Sequence, residues 1–467
     1  MLFNSYVFAA FFAVVYTTYL ACHRWTRAQN LMLLAASYLF YGWWDWRFLG
    51  LIALSTAVDY VAGLKIACAP TEVARRCWLW LSVATNLGIL GAFKYLGFFL
   101  DSLQPLLGAI GIEGALPSLR LVLPVGISFY TFQSMSYTID VYRRRGEACR
   151  DPFDFALYVA FFPQLVAGPI ERSTRLLGQI TRPRTLNTPA IEAGVWLVVW
   201  GLFKKIVVAD NAALLANPVF AAPEAHAGSA LLLGALAFTV QIYCDFSGYS
   251  DIARGLAKLL GFDLMVNFKL PYFALSPSDF WRRWHVSLSS WLRDYLYISL
   301  GGDRHGSWRT YRNLMVTMLL GGLWHGAAWN FVLWGLFHGL LLIAYRPLEE
   351  RPRLLPDGVA ADLARASVMF GLTVVGWVIF RVESFADLGH FAAVFLPAAS
   401  VPWHGFALLA ALWLPVLSIE ISQLACDDLL TPLRMPPIGR GVLFDALIAA
   451  CVGFHTGAST EFIYFQF

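Results

Sequence analysis

The chain has 467 residues, 58% of them hydrophobic and only 14% charged, with a mean hydropathy of +0.61. Soluble domains carry roughly 25% charged residues, so a soluble enzyme is excluded. The net charge of +4 is spread over loops and forms no basic patch of the nucleic-acid kind. The seven cysteines are scattered, odd in number and without a Cys-x-x-Cys pair, which argues against a disulfide framework or a zinc site.

The apolar stretches are long and continuous, unlike the short alternating segments of a membrane barrel. They predict an all-α polytopic integral membrane protein, one transmembrane domain over residues 1–467. The first run, 7–22, has no basic residue before it and no small-residue cleavage site after it. Arg24 and Arg27 follow it, so it reads as a permanent span and not a signal peptide. Further candidate spans are 31–44, 48–67, 78–95 and 121–139. Residues 153–168 are apolar but short, and Pro163 and Pro169 interrupt them, which predicts a re-entrant segment. Then come 193–209, with Lys204 and Lys205 near its end, and 229–244. The last runs are 314–326, 329–345, 366–380, 406–424 and 442–454.

Lys and Arg crowd the loops 23–27, 65–76, 143–150, 172–184, 304–312 and 346–365, whereas 210–228 has neither. The positive-inside rule then puts the basic loops in the cytoplasm, and the N-terminus and 210–228 outside. This parity holds only if 153–168 enters and leaves on one side. Residues 245–312 are too polar for plain spans and too rich in Trp, Tyr and Leu for a solvated loop. Irregular backbone at membrane depth survives only when buried in protein or lining a wet cavity. Short, tilted or re-entrant helices are therefore expected there, broken by Pro271 and Pro277. Most of the 18 tryptophans outside 281–324 read as an interfacial aromatic belt.

Three clusters can carry chemistry. Asp245-Phe-Ser-Gly-Tyr-Ser-Asp251 places two carboxylates, Ser247 and Tyr249 at the end of an apolar run. Gly248 is expected to stop the helix, so that Asp245 and Asp251 point into one cavity; the alternative is a polar helix end capped by Ser247 or Ser250. The second cluster is 281–294. Its Arg282, Arg283 and Arg293 offer guanidinium forks suited to phosphate, although positive-inside anchoring explains Arg282 and Arg283 equally. A helix would align His285, Ser289 and Arg293 on one face, beside tryptophan.

The third cluster, Gly321-Gly-Leu-Trp-His-Gly326, puts a histidine inside the apolar run 314–332. A titratable group at bilayer depth is costly and is by default a functional candidate; the plain alternative is a buried imidazole satisfied by a backbone carbonyl. An imidazole suits a general base near neutral pH. The glycines permit close approach of a ligand or of another helix. His338 falls on roughly the same face as His325 if the helix is unbroken and reads as a structural or supporting residue. His285, His305, His325 and His338 lack the spacing of a metal site, and no metal is assigned.

These motifs carry a resemblance. Nearly end to end the chain resembles the membrane-bound O-acyltransferases, and within them the subfamily that serves bacterial alginate O-acetylation. The matching stretches include Ala36-Ser-Tyr-Leu-Phe-Tyr-Gly-Trp-Trp44, Phe93-Lys-Tyr95, Leu123-Pro-Val-Gly-Ile-Ser-Phe-Tyr130 and Tyr137-Thr-Ile-Asp-Val-Tyr142. They continue in Phe162-Pro-Gln-Leu-Val-Ala-Gly-Pro-Ile170 and the Asp245–Asp251 cluster. Most specific are Asp279-Phe-Trp-Arg-Arg-Trp-His285, Trp291-Leu-Arg-Asp-Tyr-Leu-Tyr297 and Leu320-Gly-Gly-Leu-Trp-His-Gly326, and the terminal Phe462-Ile-Tyr-Phe-Gln-Phe467 also resembles that subfamily's end.

The resemblance implies a ring of about 11–12 transmembrane helices with short re-entrant helices around a central tunnel, in a bacterial inner membrane. It maps the essential histidine onto His325 and a second catalytic-site residue onto His285. Relatives move an acyl group from a cytoplasmic thioester to an extracytoplasmic polymer or to an acyl-carrying partner; for alginate that partner is a periplasmic acetyltransferase. The reading that follows is acetyl transfer from acetyl-CoA, with no permanently bound cofactor. Arg282, Arg283 and Arg293, with Trp284 and Trp324, would hold the donor; Asp245, Ser247, Tyr249 and Asp251 would hold the acceptor. Cellulose, peptidoglycan and teichoic acid are alternative polymers. The rival classes are a proton-coupled transporter or flippase, for which no internal repeat of the 281–284 or 321–326 pattern is visible, and a scaffold that only recruits a periplasmic enzyme.

Overall fold

The computed structural model describes residues 1–111, 121–349, 358–396, 400–455 and 462–463, so the end of the terminal motif lies outside the described residues. Among the described residues every regular element is helical and no strand occurs. This is what a bilayer demands, because a helix satisfies its backbone groups within itself. Seven helical runs among the described residues are long and apolar enough to cross a membrane: Thr26–Cys68, Glu72–Ala109, Ser229–Leu259, Trp329–Glu349, Val359–Arg381, Trp403–Cys426 and Pro437–Phe454. The protein is a multi-pass membrane protein. The chain forms two compact units, Met1–Ile191 with Leu256–Met265, and Glu192–Gly255 with Val266–Phe467.

The first unit holds α1 (Tyr6–Ala21), α2 (Thr26–Asp45), α3 (Leu49–Cys68), α4 (Glu72–Leu90), α5 (Leu96–Ala109), α6 (Ile127–Tyr142), α7 (Pro152–Ala160), α8 (Phe162–Leu165) and α9 (Ser173–Ile180). Local chemistry sets their starts. The Ser5 hydroxyl accepts the Phe8 N–H, Thr71 accepts that of Ala74, and Asp151 accepts those of Phe153 and Asp154 with Pro152 in the first turn. The expected span 78–95 runs on: α4 continues through a π turn, Gly91–Tyr95, into α5. Asp101 and Pro105 disguise that continuation in the sequence, yet the helix absorbs both.

The segment 153–168 is short and broken, as its prolines require. At about 1.5 Å per residue, neither the 9-residue α7 nor the 4-residue α8 can cross a hydrocarbon core of about 30 Å. Pro163 has no N–H with which to extend α7, and the chain turns at Phe161 (φ −53°, ψ 106°). Elsewhere in this unit α3, α4 and α6 converge on the buried Asp59. It accepts from Ser82 Oγ (2.5 Å) and from Asn86 Nδ2 (2.9 and 3.0 Å), and Ser82 also meets Thr138 at 2.8 Å. A carboxylate at this depth must be satisfied by protein, and here it is.

The second unit holds α10 (Thr188–Leu202), α11 (Asp210–Ala221), α12 (Ser229–Leu259), α13 (Pro277–Arg283), α14 (Val286–Trp291), α15 (Ser307–His325), α16 (Trp329–Glu349), α17 (Val359–Arg381), α18 (Phe385–His390), α19 (Trp403–Cys426) and α20 (Pro437–Phe454). A π turn, Phe203–Ala209, joins α10 to α11. The short helices expected within 245–312 are α13 and α14, with a π turn at Leu292–Tyr297. One expectation fails. Gly248 does not end a helix: α12 runs unbroken from Ser229 to Leu259. The glycine instead lets two backbones touch. A Cβ on Gly248 would lie 2.8 Å from the Gly201 carbonyl oxygen, and one on Gly255 would lie 2.6 Å from that of Gly194. This is small-residue helix packing, repeated two turns apart.

Candidate active site

The site is built in the second unit, from an irregular stretch and the ends of two helices. Residues 267–269 run beside 283–286, with the Lys269 N–H donating to the Arg283 carbonyl and the Val286 N–H to the Asn267 carbonyl, each at 2.9 Å. α13 starts at a Ser276 cap and stops at Arg283. Trp284 then plunges among Tyr243, Phe268, Tyr272, Phe280 and Trp377. His285 follows in the left-handed region (φ 43°, ψ 52°) and caps α14. A non-glycine residue there costs of order 1–3 kcal/mol and persists only when its surroundings hold it, a condition common at active sites. The imidazole is edge-on to Phe246, with centroids 4.7 Å apart, and its Nδ1 lies 3.1 Å from Asn267 Oδ1.

α15 delivers the second imidazole as its last residue. Gly326 is extended (φ −159°, ψ 154°) and ends the helix, and α16 returns against α15. A Cβ on Gly322 would lie 2.1 Å from the Phe331 carbonyl oxygen, and one on Gly335 would lie 2.4 Å from that of Met318. These two glycines therefore serve helix contact. His325 sits among Trp324 (5.1 Å), Trp334 (5.0 Å) and Phe380 (5.4 Å). The His285 and His325 ring centroids are 6.4 Å apart, inclined at 60°. His285 has no exposed surface and His325 has 4%. The aromatic wall keeps bulk water from both rings.

The structure thus brings together His285, His325 and Trp324, whose ring is 5.8 Å from His285. It does not bring the arginines in. The Arg282 and Arg293 side chains are 70% and 64% exposed and lie beside Asp279 (3.7 Å) and Asp294 (2.8 Å); Arg283 pairs with Asp279 at 3.0 Å. The shared face expected for His285, Ser289 and Arg293 does not form. His285 precedes α14, and the π turn at Leu292 shifts the register, so Arg293 points out while His285 is buried. Trp284 is fully enclosed and has no surface left for a ligand. His338 lies on α16, beyond the break at Gly326 and not on a continuation of the His325 helix, packed by Phe280, Trp281 and Trp334.

Asp245 and Asp251 were expected to share a cavity. Instead they face the two lysines near the end of the 193–209 run. Lys205 Nζ is 2.6 Å from Asp245 and 2.8 Å from Asp210; Lys204 Nζ is 2.6 Å from Asp251 and 2.9 Å from Ser247 Oγ. Arg254 adds a second cation to Asp251 at 3.0 Å. Asp245 also accepts the Ile463 N–H at 2.7 Å, and Phe462 packs on Tyr249 and on Phe246, the ring that supports His285. Unread in the sequence were Asn267, Ser250 as its partner, and the buried Tyr243–Glu420 hydrogen bond. A lone Asn between Val266 and Phe268, and a lone Glu in an apolar helix, were the available signals.

Residues 148–381, which contain both imidazoles, match the family model described as MBOAT, membrane-bound O-acyltransferase family. The chain belongs to the membrane-bound O-acyltransferase family. It is similar to the probable alginate O-acetylase of Azotobacter vinelandii, 47% identical over 390 residues, covering 82% of this chain and 76% of that one. The Pseudomonas aeruginosa protein of the same description is 46% identical, covering 82% and 72%. A peptidoglycan O-acetyltransferase of Helicobacter pylori is 34% identical over 414 residues, covering 82% and 77%. This membrane-bound O-acyltransferase is an enzyme of acyl transfer to oxygen.

Proposed function

We propose that the protein takes an acetyl group from cytoplasmic acetyl-CoA and passes it across the bacterial inner membrane for O-acetylation of an exported polysaccharide. Alginate is the polymer best supported, because the alginate O-acetylases are the relatives of highest identity given above. The final acceptor step would fall to a periplasmic acetyltransferase or another acyl-carrying partner. The observation that carries the reading is the pair of enclosed imidazoles 6.4 Å apart.

In this reading His325 is the general base on the acceptor hydroxyl, a role worth about 10²–10⁴-fold. A covalent acyl-histidine relay is the competing version. His285 orients the acceptor or polarises the thioester carbonyl. The exposed guanidinium groups of Arg282 and Arg293 are free to swing from their neighbouring carboxylates to the donor's phosphates, with Arg283 and Trp324 nearer the imidazoles' own segments. Trp284 supports His285 from inside the aromatic core. Of the acceptor set, Ser247 and Tyr249 stand beside the ion-paired Asp245 and Asp251.

The test uses purified protein in vesicles with radiolabelled acetyl-CoA on one side and polymer with the soluble partner on the other. Label on the polymer that depends on this protein supports the reading. Label that stays on CoA, or transport of intact donor without transfer, overturns it.

A further inference from the structure

We propose that Asn267 is a positioning residue that fixes the His285 imidazole in the tautomer with hydrogen on Nδ1, so that Nε2 presents a lone pair to the reacting groups. The inference rests on the acyl-transfer reading and adds to it a residue and a direction for the proton.

The argument starts from the one donor whose identity is beyond choice, a backbone N–H. The Ser287 N–H lies 3.2 Å from Asn267 Oδ1, and Ser287 Oγ donates to the same atom at 2.9 Å. An amide NH2 turned to that side would meet the backbone N–H donor to donor. The other end of the amide gives its Nδ2 hydrogen to Ser250 Oγ at 3.1 Å. The Ser287 N–H therefore fixes which atom is oxygen, and the Ser250 hydroxyl, which can accept, is compatible with it. An amide oxygen only accepts, so the His285 Nδ1 facing it at 3.1 Å must carry hydrogen. A neutral imidazole has one N–H, which leaves Nε2 basic.

The arrangement is rigid. Asn267, Ser250, Ser287 and His285 are all buried, with no more than 1% of any residue exposed. The Val286 N–H donates to the Asn267 carbonyl at 2.9 Å, tying the amide's own backbone to the residue after His285. Rotation of the imidazole by half a turn would set a C–H against Oδ1 and lose that hydrogen bond. The consequence is chemical. In its neutral form Nε2 accepts a hydrogen bond and cannot donate one. Of the two roles open to His285, polarising the thioester carbonyl falls away, and orienting the acceptor remains, through a hydroxyl other than the one His325 deprotonates.

Two variants test this. Asn267→Asp keeps an acceptor for Nδ1–H and for both Ser287 donors, and the Ser250 hydroxyl can turn to donate to the second oxygen. Asn267→Leu keeps the size and removes the acceptor. We expect Asn267→Leu to lower kcat for acetyl transfer by about 10²-fold, the lower end of what a placed acid–base group supplies, with KM for the donor unchanged. Asn267→Asp should regain most of that loss. Solid-state 15N spectra of histidine-labelled wild-type protein, with His285 identified by subtraction of His285→Asn, should show Nδ1 protonated and Nε2 bare. Wild-type kcat in Asn267→Leu, equal losses in both variants, or a protonated Nε2 in the neutral ring each overturns the proposal. The wild-type spectrum decides the tautomer even if Asn267→Leu fails to fold. It also does so if the wild-type protein transfers no acyl group, a result that would sink the functional reading alone.

Discussion

Replacing Lys205 with Met removes the cation between Asp245 and Asp210 and asks whether Asp245 belongs to the fold or to the substrate. The Lys205–Asp245 contact is 2.6 Å, between side chains 9% and 3% exposed, so solvent screens it little. Asp245 keeps only the Ile463 N–H when the lysine goes. Taking one partner from a buried pair leaves an uncompensated charge and typically costs about 3–5 kcal/mol. Lys205→Met should lose about that much. Adding Asp245→Asn should restore a large part, because the amide oxygen still accepts from Ile463. A coupling of about 1–3 kcal/mol in the double-mutant cycle is expected. Thermal unfolding of the detergent-purified variants gives the stabilities, and acetyl transfer by the same samples gives activity. If Lys205→Met unfolds with the wild type, the buried-pair reasoning is wrong. If the double variant is stable but inactive, Asp245 acts on substrate.

Gly322→Ala should abolish accumulation of folded protein, because its Cβ would sit 2.1 Å from a backbone oxygen, whereas Gly371→Ala, with open space beside it, should express normally; fluorescence-detected gel filtration compares them. Tyr243→Phe removes the hydroxyl that donates to the buried Glu420 and should cost about 1–3 kcal/mol by thermal unfolding, with Tyr243→Phe/Glu420→Leu recovering stability. The Asp263 carboxyl, in the loop after α12, has its pKa raised by burial but lowered by more through Lys258 and Arg175, and ends below its ordinary 3.8. A depressed folded pKa gives stability that is present above the unfolded value and lost as pH falls through the folded one. The first unit should therefore weaken below about pH 4 in wild type, and Asp263→Asn should blunt that acid limb; since Asp263 is more than half exposed, the effect is small.

The apolar runs revealed the helices because composition alone decides which segments a bilayer accepts. His325 stood out for the same reason, as an imidazole in an apolar run, whereas His285 stood out through the Trp- and Arg-rich motif around it and the family resemblance. What stayed hidden depends on packing. Gly248 looks like a stop, and only contact with Gly201 shows it as a spacer. Lys204 and Lys205 lie near the end of an apolar run in the sequence, and only the structure, with its π turn at Phe203–Ala209, shows them paired with Asp251 and Asp245. The alignment of His285 with Arg293 assumed a regular helix, and a left-handed residue and a second π turn broke it. Asn267 carries no motif; its part emerges only where the two irregular stretches 267–269 and 283–286 lie side by side.

The most direct test of the account is an imidazole-to-amide swap, His325→Asn, in cells making the exported polymer. The variant should reach the membrane at wild-type level, retain its thermal stability, and leave the polymer without its acetyl groups. Normal acetylation by a folded His325→Asn protein would mean that this imidazole does not take part in the transfer.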